Sequence, residues 1–184
     1  ETLVELILNE HKEKNISLLD VCTGSGCIAV SLAKLGGYAD VTALDLSEEA
    51  LKVAKSNGEK LLDHPVKFIK SDMFSALDPE NRYDVIVSNP PYIPSQVIEG
   101  LEPEVKDHEP RMALDGEPDG LKFYRILADE GKKYLKNGGS IYMEIGWDQA
   151  KDVTEIFEAM GFSGLRTVRD MAGNDRVVCA RKEK

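Results

Sequence analysis

Four consecutive residues, Asn89, Pro90, Pro91 and Tyr92, follow the apolar run Val85, Ile86, Val87. A short β-branched run bounded by turn formers suits a strand buried on both faces. Proline has no N–H to give a ladder and its ring fixes φ, so the strand must stop there and the turn beyond it is stiff. Asn89 carries a side-chain carbonyl, and the backbone carbonyl of Pro90 is freed from pairing; both are acceptors for N–H groups. Tyr92 adds a flat face. Acceptors and a ring on a rigid turn can orient a planar nitrogen-bearing group at little entropic cost.

A second constellation lies in "LLDVCTGSGCIA". Gly24 and Gly26 let the backbone approach a ligand and turn sharply into a helix, and Asp20 adds a carboxylate at the strand end. Gly24, Gly26 and Ala29 also satisfy the dinucleotide spacing, with Asp45 in place for a ribose hydroxyl, as in a nicotinamide enzyme. The rest of the rim separates the two readings. Asp72 closes the third strand beside Met73 and Phe74, an edge that suits an adenine: an acceptor for its amino group and apolar contact for its ring. Asp20, Asp45 and Asp72 on three successive strand ends form an acidic rim. Such a rim favours a nucleoside bearing an ammonium and a sulfonium over one bearing a pyrophosphate, which points to S-adenosylmethionine. The expected cofactor contacts are Asp20, Cys22, Thr23, Gly24, Ser25, Gly26, Asp45, Leu46, Asp72, Met73, Phe74 and Asn89. No metal is expected, because Cys22 and Cys27 have no partner ligands.

These residues need a scaffold, and the chain supplies alternating periodicities. An amphipathic helix runs from about 3 to 14. Strands are expected at 17–23, 40–47, 65–72, 82–88 and 138–146, with helices at 27–36, 48–62, about 120–136 and about 148–160. "FSGLRTVRD" and "DRVVCARK" read as an antiparallel pair around Met171-Ala172-Gly173-Asn174. Strands alternating with helices give an α/β fold, a doubly wound, mostly parallel seven-stranded sheet with a C-terminal antiparallel hairpin. Residues 89–120 carry no clear period and hold eight acidic residues against Lys106 and Arg111. A connection of that length in a compact domain is usually functional or mobile; docking of a protein partner is the favoured role.

At 184 residues the chain is expected to form one domain, residues 1–184. Its 42% hydrophobic and 30% charged composition is that of a globular protein, and no apolar run approaches the roughly 18 residues of a membrane span. The three cysteines fit a reducing compartment, and a cytoplasmic location is expected. With 33 acidic against 23 basic residues the net charge is −10, which disfavours nucleic acid as a partner. His11, His64 and His108 read as surface or loop residues. The chain begins at Glu1, so a segment upstream is expected.

"DVCTGSG", "LDLS", "KSDMF" and "NPPY", in this order, resemble class I S-adenosylmethionine-dependent methyltransferases of the amino-methylating kind, with their Rossmann-like fold. "EPRMALDGEPDGLKFYR" (109–125), "MEIGWDQ" (143–149) and "DMAGNDRVV" (170–178) narrow the resemblance to the HemK-type family. It covers essentially the whole chain. The resemblance implies methylation of the side-chain amide nitrogen of the glutamine in the Gly-Gly-Gln motif of peptide chain release factors, with S-adenosylhomocysteine as product. It implies that Asn89, Pro90 and Tyr92 act in catalysis and that Asn89, Pro90, Pro91 and Tyr92 bind the substrate. It also implies a further N-terminal helical domain outside this chain, so that 1–184 is the catalytic domain, expected as a monomer. Cys22 departs from the pattern, since glycine is common there. Two other functions remain open: a nucleobase amino methyltransferase acting on DNA or RNA, and a non-catalytic nucleoside- or nicotinamide-binding module.

Overall fold

A computed structural model describes residues 1–100 and 110–183. The order of elements is α1 (Thr2–Glu10), β1 (Ser17–Val21), α2 (Cys27–Gly36), β2 (Asp40–Asp45), α3 (Glu48–Leu61), β3 (Lys67–Lys70), β4 (Tyr83–Ser88), α4 (Ser95–Ile98), α5 (Arg111–Leu114), α6 (Lys122–Asp129), α7 (Gly131–Tyr134), β5 (Leu135–Glu144), α8 (Ala150–Ala159), β6 (Phe162–Arg169) and β7 (Asp175–Lys182). The seven strands form one sheet in the order β3-β2-β1-β4-β5-β7-β6. Pairs from β3 through β5 are parallel, and β7 lies antiparallel between β5 and β6.

Side chains alternate across a strand, so the central strands feed two cores. Leu18, Val85 and Val87 pack with Leu3 and Ile7 of α1 and with Leu32 and Ala33 of α2 on one face. Leu19, Val21 and Ile86 pack with Tyr124 and Leu127 of α6 and with Val153 and Phe157 of α8 on the other. All five residues of β1 are buried, as its position between β2 and β4 requires.

Helix ends follow local chemistry. Ser47 caps α3 by accepting from Ala50 N (3.2 Å), with Glu48 and Glu49 at the positive end of the helix dipole. Gly37, in the left-handed region at φ 66°, ends α2. Helix α1 is shorter than its sequence pattern suggests, because His11 leaves it to meet Tyr142 Oη through Nε2 (2.8 Å). His11 is therefore a tether between α1 and the sheet. The helix expected at 120–136 is broken after Asp129, and β5 begins at Leu135, where it pairs with Tyr83 before the register shifts. None of the described helices is long and apolar enough to cross a membrane.

Candidate functional site at the carboxyl edge of the parallel strands

The strand order reverses between β1 and β4, and ligands of open α/β sheets bind beyond the carboxyl ends at such a point. Val21 and Ser88 are ladder partners, so Cys22 and Asn89 leave the sheet on neighbouring strands. Ser88 reinforces that junction by donating from Oγ to Val21 O (2.7 Å) while fully buried. The topology thus brings the glycine turn and the Asn89–Tyr92 turn side by side.

The glycine turn is built by three left-handed residues, Cys22 (φ 61°), Gly24 (φ 56°) and Gly26 (φ 78°). At Gly26 a Cβ would lie 2.9 Å from Ala54 Cβ of α3, so close helix packing as well as conformation demands glycine. At Gly24 a Cβ would meet no atom within 4 Å: that side of the turn is open. The positive φ at Cys22 is the physical reason glycine suits this position. A cysteine there costs on the order of 1–2 kcal/mol. Its thiol lies 3.8 Å from Met73 Sδ, and desolvation, helped by Asp45, Asp20 and Asp72, pushes its pKa up to about 12. It stays a neutral thiol that fills space.

Asp20 is completely buried. Its Oδ2 accepts from Thr23 Oγ1 (2.6 Å) and Ala29 N (3.2 Å), whereas Oδ1 has no partner among the described residues. Burial drives the carboxyl up to about 7, against the pull of those two donors. A buried carboxylate oxygen without a donor is costly unless something cationic or N–H-bearing meets it. An ammonium group suits it. Asp45 Oδ2 accepts from Gly24 N (2.7 Å) and Oδ1 from Ser47 N (2.8 Å), so this carboxylate braces the turn and the start of α3. Each oxygen keeps a lone pair for a hydroxyl. Leu46, next in the chain, is 46% exposed and offers an apolar surface. Ser25 is exposed, and its carbonyl accepts from Asn57 Nδ2 (3.0 Å).

Asp72 is exposed on a turn shaped by buried Ser71, which donates from Oγ to Met73 O (2.7 Å) and accepts from Ala76 N (3.0 Å). Met73 is left-handed at φ 48°, which directs the chain inward. Phe74 accordingly does not line the rim: its ring is in the core, stacked on Tyr134 with centroids 5.3 Å apart. Met73 belongs to the same core at 7% exposure, so of the apolar contacts expected here only Leu46 is exposed.

In the second turn Pro90 and Pro91 are buried, Tyr92 is half-buried against the core, and Asn89 is exposed. The side chain of Asn89 makes no hydrogen bond among the described residues. Sequence reasoning missed what holds this turn. Ile93 forms a parallel bridge with Asp115, with Ile93 N donating to Leu114 O (3.0 Å) and Gly116 N to Ile93 O (2.9 Å). Asp115 Oδ1 accepts from Ser95 Oγ (2.6 Å) and Glu117 N (3.0 Å). A Cβ on Gly116 would fall 2.8 Å from Tyr92 Cα, and one on Gly120 would fall 2.4 Å from Tyr92 O. The glycines of "DGEPDG" exist for that close approach, and their spacing was the available signal. Gln149, buried at 8% exposure, donates from Nε2 to Tyr92 O (3.0 Å). Lys106, His108 and much of the acidic stretch lie outside the described residues.

A family model described as a methyltransferase domain matches residues 12–175. The release factor glutamine methyltransferase of Fusobacterium nucleatum is 43% identical, over 99% of this chain and 52% of the relative. That of Thermodesulfovibrio yellowstonii is 41% identical, over 100% of this chain and 67% of the relative. The chain therefore spans about half to two thirds of the length of these curated relatives. Among solved structures, the protein-(glutamine-N5) methyltransferase (release factor-specific) of Alicyclobacillus acidocaldarius superposes with a TM-score of 0.59 at 29% identity, covering 99% of this chain and 90% of that one.

Proposed function

The chain belongs to the release factor glutamine methyltransferase family, and from that premise we propose that it methylates the side-chain amide nitrogen of a glutamine in a Gly-Gly-Gln segment of a peptide chain release factor. The observation that carries this reading is Asn89, exposed and unpartnered among the described residues, leaving β4 directly beside the glycine turn of β1. S-adenosylmethionine, when bound, supplies an electrophilic methyl on a sulfonium. Asp20 Oδ1 fits its ammonium, Asp45 its ribose hydroxyls, and Leu46 its base, with Asp72 at the exposed edge.

The nucleophile is difficult, because an amide nitrogen's lone pair is delocalised into its carbonyl. Catalysis therefore rests on orientation. Asn89 Oδ1 and the Pro90 carbonyl accept the two N–H bonds of the substrate amide, and Tyr92 supports its plane. With the methyl donor bound, a nitrogen held in this way would take the methyl, the carbon–sulfur electrons would remain on sulfur, and the amide would release one proton to solvent. No general base is required, since alkylation makes that proton acidic. Residues 1–184 act as the methyl-transferring unit, in the cytosol and as a monomer. The net charge of −10 supports a protein rather than a nucleic-acid substrate.

The test is mass spectrometry of a release factor incubated with the protein and methyl-labelled cofactor. A 14-dalton-class mass gain plus label, located on the glutamine of the Gly-Gly-Gln peptide, is the expected result. Label on another residue, or none, would sink the reading.

A further inference from the structure

Between buried Ser88 and the bridge at Ile93, the substrate-facing turn has few degrees of freedom. Its proximal end is fixed in the ladder against Val21 and Met143. Pro90 and Pro91 have their φ angles set by their rings. Its distal end is tied to the strap formed by residues 114–120, which runs on from the end of α5 and is not part of the sheet. Gln149 supplies the missing anchor. Its Oε1 accepts from Gly146 N (3.0 Å), just past β5, while Nε2 donates to Tyr92 O (3.0 Å) and Gly120 O (3.3 Å). The partners fix the orientation of the amide, because an N–H must meet the oxygen and two carbonyls must meet the nitrogen. One side chain thus joins turn, strap and sheet.

We propose that Gln149 is a positioning residue for methyl transfer: by pinning the carbonyls of Tyr92 and Gly120 to the exit of β5, it sets where Asn89 and the Pro90 carbonyl hold the substrate amide. This rests on the function proposed above. Only a neutral amide meets the demand for one acceptor and two donors. A carboxylate of the same shape would keep the bond to Gly146 N but oppose two carbonyl oxygens. Among the described residues, none of the hydrogen bonds of Gln149 reaches the glycine turn or Asp45, so cofactor binding has no reason to change.

The experiment compares Gln149→Glu and Gln149→Leu with wild type in single-turnover transfer to a Gly-Gly-Gln protein, alongside calorimetry with S-adenosylhomocysteine and hydrogen exchange. For Gln149→Leu we expect transfer to slow about 30- to 100-fold, as a misplaced reacting group does. Cofactor affinity should stay within about twofold, and exchange should rise in peptides covering 92–96 and 116–121 but not 20–30. In Gln149→Glu the carboxyl would be buried against two carbonyl oxygens, which pushes it well above its usual value; the deficit relative to wild type at each pH should therefore widen from pH 6 to pH 8.5, because the protonated acid can still donate once and the carboxylate cannot. That pH signature distinguishes positioning from loss of packing, and it stands if the leucine variant folds poorly. Wild-type transfer rates in both variants, or parallel loss of cofactor affinity, would overturn the inference alone. Absence of transfer by wild type would instead overturn the proposed function and this inference with it.

Discussion

The two turns at the carboxyl edge are held in different ways. The turn after β1 is held by its near neighbours: Asp20 accepts from Ala29 nine residues away and Asp45 from Gly24 twenty-one away. The turn after β4 is held from afar, by the strap around Gly116 and Gly120 and by Gln149, fifty-seven residues beyond Tyr92. Bracing that comes mostly from residues 20–54 makes the first turn largely a property of the consecutive elements β1 to α3. The second has its geometry spread over three stretches, so it can be disturbed while the first stays intact. On the function proposed above, binding the methyl donor and aiming the acceptor should consequently be separable properties of this sheet edge.

The strongest attempt to break that separation is Asn89→Ala. It removes an acceptor from the aiming turn and should lower single-turnover transfer about 10²–10³-fold, the usual cost of losing one preorganised group. Cofactor affinity should change far less. An equal fall in both would mean the two turns act as one.

Asp20→Asn probes the other side. If this carboxylate meets an ammonium as proposed, losing its charge should weaken cofactor binding by about 1.5–3 kcal/mol at pH 8. The pH dependence sharpens it. Because the carboxyl sits at about 7 in the fold against a usual 3.8, the unliganded protein carries an extra proton between those values. Its contribution to stability is therefore fully present below 3.8 and is lost as pH rises through 7. A cationic ligand demands the ionised form, so wild-type affinity should climb between pH 6 and 8 in calorimetry, relative to a flatter profile for Asp20→Asn. Parallel profiles would remove Asp20 from the site.

The smallest effect is assigned to Ser47→Ala. Losing the cap of α3 should cost about 1 kcal/mol, a fall of a few degrees in thermal midpoint, with transfer per folded molecule unchanged. Slowed transfer would show that α3 is coupled to the aiming turn after all.

Much of this fold is legible in residue patterns. The alternation of apolar runs and amphipathic stretches marks every strand of the sheet, and Ser47, Gly37, Pro90 and Pro91 mark boundaries because capping and ring closure act locally. Phe74 faces the core and not the rim for a physical reason. After Asp72 the chain turns on a left-handed Met73, and no local rule says that an apolar side chain there faces inward. Gln149 lies within "MEIGWDQ", but its partners at 92 and 120 are adjacent only after β4 and β5 pair. One-turn helices such as Ser95–Ile98 and Arg111–Leu114 are too short to leave a period.

The strand order also has a consequence in time. During synthesis β4 can pair with β1 as soon as it emerges, but its other edge must wait for β5, whose Leu135 lies about 50 residues behind Tyr83; at about 5–20 residues per second that is several seconds. Throughout that interval Val85, Ile86 and Val87, all fully buried at the end, form an open strand edge, an invitation to pair with another chain. A ribosome-released chain ending at Gly100 should accordingly be found in aggregates, and its recovery as a soluble species would argue that the edge is guarded. The rigid turn that stops β4 thus also limits the damage, since beyond Ser88 two prolines leave a trespassing strand nothing to extend along.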